Sequence, residues 1–413
     1  MRNYFRLAVS FVFALNSCIP AQAQVQTDPF QSYLTGRPPV ITEDLGTATD
    51  SDGVRIQKLV FRSRMVNGQP SLVFAAIAHP AGAGKFPAIL RLHGGGGAAD
   101  IPAAISSARA GYVCLVLDIP GVTGDKTKNP RTTGSWETAP KIGANPDITH
   151  SALFDAVISS IEAFYLLRAQ PDADTARMGV AGASWGGYTA TMLAGLLNKD
   201  LAATWSVFGS GNFLEGAFEK THIEQLPEAE RIAWLTYLDP GKRAGNITKP
   251  FFIATASNDR HWSWMAVQAT LASMKGPVNQ MYSPNTNHQI QYPGGSEMIP
   301  FFNQYLKGGL PMPVVKVIKS RREKDGRLLV QYQVDNAARP VAAKVYYTFP
   351  GEQPVWTERK WLAAAAVATG KKYTAIIPAS AQKSVDLFAI ITDIDPELGQ
   401  DSTSVSSLIK HVK

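Results

Sequence analysis

Gly182-Ala183-Ser184-Trp185-Gly186, extended by Gly187, is the segment of this sequence best suited to chemistry. An apolar stretch, Met178 to Ala181, runs into it, and the apolar spacing beyond it predicts a helix over 188–197. A serine between strand and helix occupies a sharp, strained turn, and the flanking glycines remove side chains that would collide there. Its hydroxyl then stands at a helix N-terminus, where aligned backbone dipoles favour developing negative charge. A hydroxyl is a weak nucleophile at neutral pH, so it needs a base to take its proton and an acid to orient that base. A glycine-rich turn without chemistry is the plain alternative.

In strand–turn–helix serine sites the acid and then the histidine follow the serine along the chain. Of the seven histidines, His222, His261 and His288 lie between Ser184 and the proline-marked linker at Pro311 and Pro313. His288 follows the predicted strand 279–283 and precedes a predicted helix at 296–306, and Asp259 directly follows the predicted strand 251–255. This order makes His288 the base and Asp259 its orienting acid. His261 stays open as a rival base, with a place in the pocket wall as its expected role, because one short loop would otherwise supply both acid and base. His222 is expected in the pocket or at the surface, and His79 and His150 in structural roles.

His93-Gly94-Gly95-Gly96-Gly97 ends another predicted strand, 86–92. Bare glycine lets backbone N–H groups converge on a substrate oxygen, so Gly95 or Gly96, together with the Trp185 amide, would form an oxyanion hole. A phosphate loop would need a Gly-Lys-Ser/Thr ending or a Gly-x-Gly-x-x-Gly fingerprint with its acidic partner, and this segment has neither. Trp136, Trp262 and His261 are candidate substrate-binding residues, the indoles suited to stacking on a sugar or an aromatic acyl group, with core packing as the alternative for each. Nothing in these residues calls for a metal or a cofactor.

The elements that must position these groups alternate. Strands are predicted at 54–62 and 72–79, joined by the turn pair Asn67-Gly68, then at 86–92, 112–118, 177–183, 203–208, 251–255 and 279–283. Helices are predicted at 101–110, 151–167, 188–197, 262–275 and 296–306. Such alternation implies a doubly wound, mostly parallel sheet covered on both faces. Residues 119–149 form a long loop, and 212–248 break the rhythm as a cap insertion. Beyond Pro313 the predicted strands are short and turn-separated, at 314–319, 327–334, 341–349, 372–377 and 384–392, with a helix only at 360–367. That pattern suits a small β-sandwich.

The 413 residues, 45% hydrophobic and 18% charged, have an ordinary globular composition, and at roughly 150 residues per domain two domains are expected. Residues 1–23 read as a signal peptide: Arg2 and Arg6, an apolar run from Leu7 to Leu15, and Ala21-Gln22-Ala23 before the cut. Cys18, in Leu15-Asn16-Ser17-Cys18, is the alternative cleavage point as a lipid-anchored residue. Export, to periplasm or medium, follows from either reading. Later runs are too short for a membrane span. Without Arg2 and Arg6 the formal charge of +7 becomes +5, from 38 basic and 33 acidic residues. The bases are scattered apart from a short run at Lys316–Lys324, which excludes a concentrated nucleic-acid face. Cys114, inside an apolar run, is expected to be a core residue. The resulting division is 1–23 signal, 24–50 extended lead-in, 51–310 catalytic domain and 314–413 β-sandwich.

Gly179 to Tyr188, the His-Gly-Gly-Gly-Gly loop, Asn258-Asp259 and the Pro284-Asn285 pair before His288 resemble bacterial α/β-hydrolases. The groups most similar are acetylxylan esterases, dienelactone hydrolases and prolyl-oligopeptidase-like hydrolases, over about residues 70–307. The resemblance implies an α/β-hydrolase fold, Ser184 as nucleophile with Asp259 and His288, and an exported carbohydrate deacetylase acting on a small-molecule or polysaccharide ester. Trp185 and Gln289 stand where the cephalosporin-C deacetylase branch has Gln and Glu. A β-sandwich behind a hydrolase also resembles the PhoPQ-activated pathogenicity-related proteins. A peptidase using the same triad and a non-catalytic binding protein on this fold are the rival readings.

Overall fold

The computed structural model of the protein describes residues 27–124, 130–291, 294–394, 396 and 402–413. The predicted signal peptide and Cys18 lie outside these residues. The chain enters through β1 (Val40–Thr49), which pairs antiparallel with β2 (Arg55–Val66), itself paired with β3 (Gln69–His79). Asn67 and Gly68 take φ values of +51° and +75°, the two positive angles that a tight hairpin turn matched to strand twist requires. Much of the lead-in expected at 24–50 is thus an edge strand. β1 has no buried residue on either face, so it carries no apolar alternation by which a sequence reading could find it.

Next come β4 (Phe86–Leu92), α1 (Ile101–Arg109), β5 (Val113–Leu117), α2 (Ala152–Arg168), β6 (Ala173–Ala183), α3 (Trp185–Leu196) and β7 (Ala203–Val207). After α4 (Lys220–Gln225) and α5 (Glu228–Tyr237) follow β8 (Phe251–Ala256), α6 (Trp264–Ser273), β9 (Val278–Ser283) and α7 (Met298–Phe302). The strands form one nine-stranded sheet in the order β1-β2-β3-β5-β4-β6-β7-β8-β9. From β5 to β9 every pairing is parallel. β5, β7 and β8 are buried at every residue, as strands covered by helices on both faces must be. Side-chain caps start α1 and α6: Asp100 accepts from Ala103 N at 3.0 Å, and Ser263 Oγ accepts from Ala266 N at 3.1 Å, each satisfying an otherwise orphaned donor. Cys114 is fully buried and its thiol is pushed up to about 11 by desolvation, the state of an inert core residue.

The C-terminal part is an antiparallel unit of β10 (Val314–Arg322), β11 (Leu328–Asp335), β12 (Pro340–Thr348), β13 (Leu362–Thr369), β14 (Lys372–Ile377), β15 (Val385–Ile394), β16 (Ser402–Ser406) and β17 (Lys410–Val412). Their order is β10-β11-β14-β13-β12-β15-β16, with β17 also on β15. β11 alternates strictly between buried and half-buried residues, the mark of a strand with one face on a core. β13 turns the corner: residues up to Ala365 pair with β12, and Ala366 onward pair with β14. One curled, near-barrel sheet thereby closes over its own core. The helix predicted at 360–367 is therefore corrected to strand. The alanines favour helix only weakly, and ladder bonds offered on two sides override that preference.

The two parts share a packed seam. Tyr282 of β9 and Trp361, Phe388 and Ile409 of the C-terminal unit form one buried cluster. Gln280 Nε2 donates to Ser406 O at 2.5 Å, Gln268 Nε2 to Ile409 O at 3.0 Å, and Ser404 N to Glu297 Oε1 at 3.0 Å.

Candidate active site

Ser184 sits between the end of β6 and the start of α3 at φ +55°, ψ −120°, a strained conformation for a residue with a side chain. The surrounding glycines explain how the turn tolerates it. A Cβ on Gly182 would come within 2.2 Å of Gly186 O, and one on Gly186 within 2.2 Å of Leu92 O. β4, β6 and the first turn of α3 thus approach more closely than any side chain allows. The Ser184 amide donates to Val207 O at 2.9 Å, which ties the turn to the next strand.

His288, in the loop after β9, reaches the serine: His288 Nε2 lies 2.9 Å from Ser184 Oγ. Its Nδ1 lies 3.0 Å from Asp259 Oδ2 and 3.2 Å from Oδ1. Asp259 follows β8, is fully buried, and accepts from the His261 amide at 2.7 Å and the Trp262 amide at 3.3 Å through Oδ1. A buried carboxylate holding the Nδ1 proton leaves Nε2 as a free acceptor aimed at the serine hydroxyl. The structure thus brings Ser184, Asp259 and His288 into one hydrogen-bonded chain.

His261 does not reach the serine in this arrangement. Its ring lies 4.4 Å from that of His288, between centroids, and burial, then the neighbouring His288, lowers its proton affinity. Phe208, at 4.2 Å, and Trp262, at 5.9 Å, also face the His288 ring. Trp262 is only 2% exposed, so the idea that a ligand stacks on it is corrected: it forms a wall beside the His288 ring. Trp136 is placed elsewhere, against Gly134 near Ser71 at the start of β3, and not in the aromatic group of Trp185, Tyr188, Phe213 and Trp262 beside the serine. Phe218 packs on His261, with its amide donating to His261 O at 3.1 Å. Residues 212–248 thereby flank the site and continue into α4 and α5.

The glycine loop after β4 shows which amide is free. Gly96 N donates to Val122 O at 2.8 Å, so the expectation of Gly96 as an oxyanion donor is corrected. Among the described residues, Gly95 N has no acceptor. Gly95 packs so tightly on the Trp185 indole that a Cβ would lie 2.8 Å from it. Trp185 heads α3, and the first amides of a helix have no acceptor within it. His93, read only as the first letter of the glycine motif, proves to be its brace. Its Nε2 accepts from Ile119 N at 2.9 Å, so Nδ1 carries the proton and donates to Gly94 O at 2.7 Å. Burial lowers its proton affinity, which keeps that tautomer neutral.

The sheet order, the elbow after β6 and the loops after β8 and β9 define an α/β-hydrolase fold. In sequence, residues 44–215 match the acetyl xylan esterase family model, and residues 180–351 match the model of the PhoPQ-activated pathogenicity-related proteins. Among solved structures, the chain is similar to an acetyl xylan esterase from Paenibacillus sp. R4, with a TM-score of 0.55, 17% identity, and coverage of 67% of this chain and 92% of that one. Acetyl xylan esterase 1 from Thermoanaerobacterium sp. JW/SL YS485 gives the same values: TM-score 0.55, 17% identity, 67% and 92% coverage. At such identity the likeness speaks for the fold. No curated protein matches the chain in sequence. No helix among the described residues is long and apolar enough to cross a membrane.

Proposed function

We propose that the protein is a serine hydrolase that cleaves carboxylic esters through an acyl-enzyme, with carbohydrate acetyl esters as its substrate class. The observation that carries this reading is the unbroken chain from Asp259 through His288 to Ser184 Oγ. Ser184 Oγ attacks the ester carbonyl as His288 Nε2 takes its proton, and the resulting imidazolium is stabilised by the buried Asp259. The amides of Gly95 and Trp185 receive the developing oxyanion. His288 then gives its proton to the leaving alcohol, and water attacks the acyl-serine with His288 again as base, returning free acid and enzyme. The acetyl preference and the carbohydrate leaving group rest on the match to the acetyl xylan esterase family over residues 44–215. Action outside the cytoplasm rests on the signal-like residues 1–23.

The test is hydrolysis of 4-nitrophenyl acetate, then acetylated xylan, by wild type and Ser184→Ala. Turnover of both substrates, lost in a folded variant, supports the proposal. Cleavage of peptide amides but not esters would move the protein to the peptidases, and inertness on both would make it a binding protein on a hydrolase fold.

A further inference from the structure

The loops that hold Asp259 and His288 are bonded from behind by the C-terminal unit. We infer that Asn258 and Asn285 are positioning residues through which that unit sets the acid and base of the site. The inference rests on the proposed serine-hydrolase reading for its effect on rate, and on geometry for the rest.

Asn258 directly precedes Asp259 and is 6% exposed. Its Nδ2 faces three carbonyls of one C-terminal turn: Arg359 O at 2.7 Å, Thr357 O at 3.2 Å and Trp356 O at 3.4 Å. Asn285, three residues before His288, exchanges two bonds with Trp361: Nδ2 to Trp361 O at 2.9 Å, and Trp361 N to Oδ1 at 2.7 Å. Its φ of +59° turns the loop so that this exchange is made. A buried serine couples the two asparagines. Ser257 Oγ donates to Asn258 Oδ1 at 2.5 Å and accepts from Asn285 N at 2.9 Å. Asn258 N also donates to Thr286 O at 3.1 Å. The C-terminal turn is itself anchored, with Arg359 bonded to Asp386 at 2.7 Å and to Gln353 O at 2.9 Å.

The topology explains why such a brace is needed. β9 ends the nine-stranded sheet, so the loop carrying His288 has no further strand of that sheet beside it. A side-chain amide offers donor and acceptor in fixed geometry, and a misplacement of about 1 Å in a reacting group can cost on the order of a hundredfold in rate.

The experiment uses the full chain with Asn258→Ala, the near-isosteric Asn258→Asp, and Asn285→Ala. Asn285 is exposed, so its variant keeps the test open if those at Asn258 fail to fold. Gln268→Ala removes a bond across the same seam, from the middle of α6 to Ile409 O rather than from either loop, and serves as the control. Three quantities are measured: kcat and KM on 4-nitrophenyl acetate, the acid limb of the pH–rate profile, and the downfield proton resonance of His288 Nδ1–H. In the Asn258 and Asn285 variants we expect kcat to fall roughly 10- to 100-fold with KM little changed. The acid limb and the resonance should both move, while Gln268→Ala alters neither. Folded asparagine variants with wild-type kcat, acid limb and resonance would overturn the inference, as would an equal loss in Gln268→Ala, which would mark simple loosening of the seam. If wild type is inert on esters, the functional reading fails by itself. The resonance then decides: a shift in the asparagine variants alone sustains the positioning role, and an unmoved signal ends it.

Discussion

The elbow that carries Ser184 and the loops that carry Asp259 and His288 meet in one hydrogen-bonded chain, but they are held by different means. The elbow lies near the middle of the sheet, between β4 and β7, where glycines let backbone touch backbone. The acid and histidine loops lie toward the sheet's far end and lean on side-chain amides that reach into another unit. Backbone packing of the first kind tolerates no added atom. Bonding of the second kind can be cut one contact at a time, so the same hydrogen-bonded chain has a rigid end and an adjustable one.

The largest effect should come from cutting the chain at either end. Ser184→Ala and His288→Ala should each lower kcat by about 10⁴- to 10⁶-fold, and the double variant by little more, because such groups act as a unit. A double variant showing the product of the two losses would separate the two regions functionally and break the comparison. Asp259→Asn keeps the shape of the adjustable end while favouring the wrong histidine tautomer, and a fall of about 10⁴-fold in kcat is expected at neutral pH. Steady-state kinetics with the resonance of His288 Nδ1–H checks both size and cause.

At the rigid end, Gly186→Ala should act on stability before rate. The added Cβ would lie 2.2 Å from Leu92 O, and a loss of about 3 kcal/mol or more in chemical denaturation is expected. A variant as stable as wild type would show that the elbow can relax. The gentlest effect is at the seam. Glu297 is fully buried, and desolvation raises its carboxyl to about 7 against partial relief from the amides of Gly295 and Ser404. The folded state therefore holds a proton that the unfolded chain has lost above its ordinary value near 4.5. The stability this contributes is full below that value and declines as pH rises through about 7. Denaturation of wild type against Glu297→Gln between pH 5 and 8 should show the difference, with the variant lacking this part of the decline.

The elbow was legible because its cause is local. Gly-Ala-Ser-Trp-Gly-Gly specifies close approach through missing side chains, and the apolar strand before it and the helix after it are recorded in the same stretch of chain. The positions of Asp259 and His288 were legible for a related reason: each directly follows an apolar strand of a regular alternation. The helix predicted at 101–110 was found by its alanine content, that at 151–167 by its apolar spacing, and the strand between them by its apolar run.

What the sequence by itself determined is therefore the alternation of buried strands with helices, the three residues that meet in the hydrogen-bonded chain and the all-β character of the C-terminal part. The tertiary structure decided the rest. The alanine-rich run at 362–369 became a strand because two neighbouring strands offered it ladder bonds, which no local propensity encodes. Gly95 rather than Gly96 kept a free amide because Val122, distant in the chain, claimed the other. Trp136 and Trp262 were drawn into packing rather than into an open cleft. Asn258 and Asn285 look like ordinary loop residues until Arg359 and Trp361, 101 and 76 positions further along the chain respectively, are folded against them. A side-chain amide's role is set by whatever polar group burial leaves facing it, and that partner is known only once the two units have closed on each other.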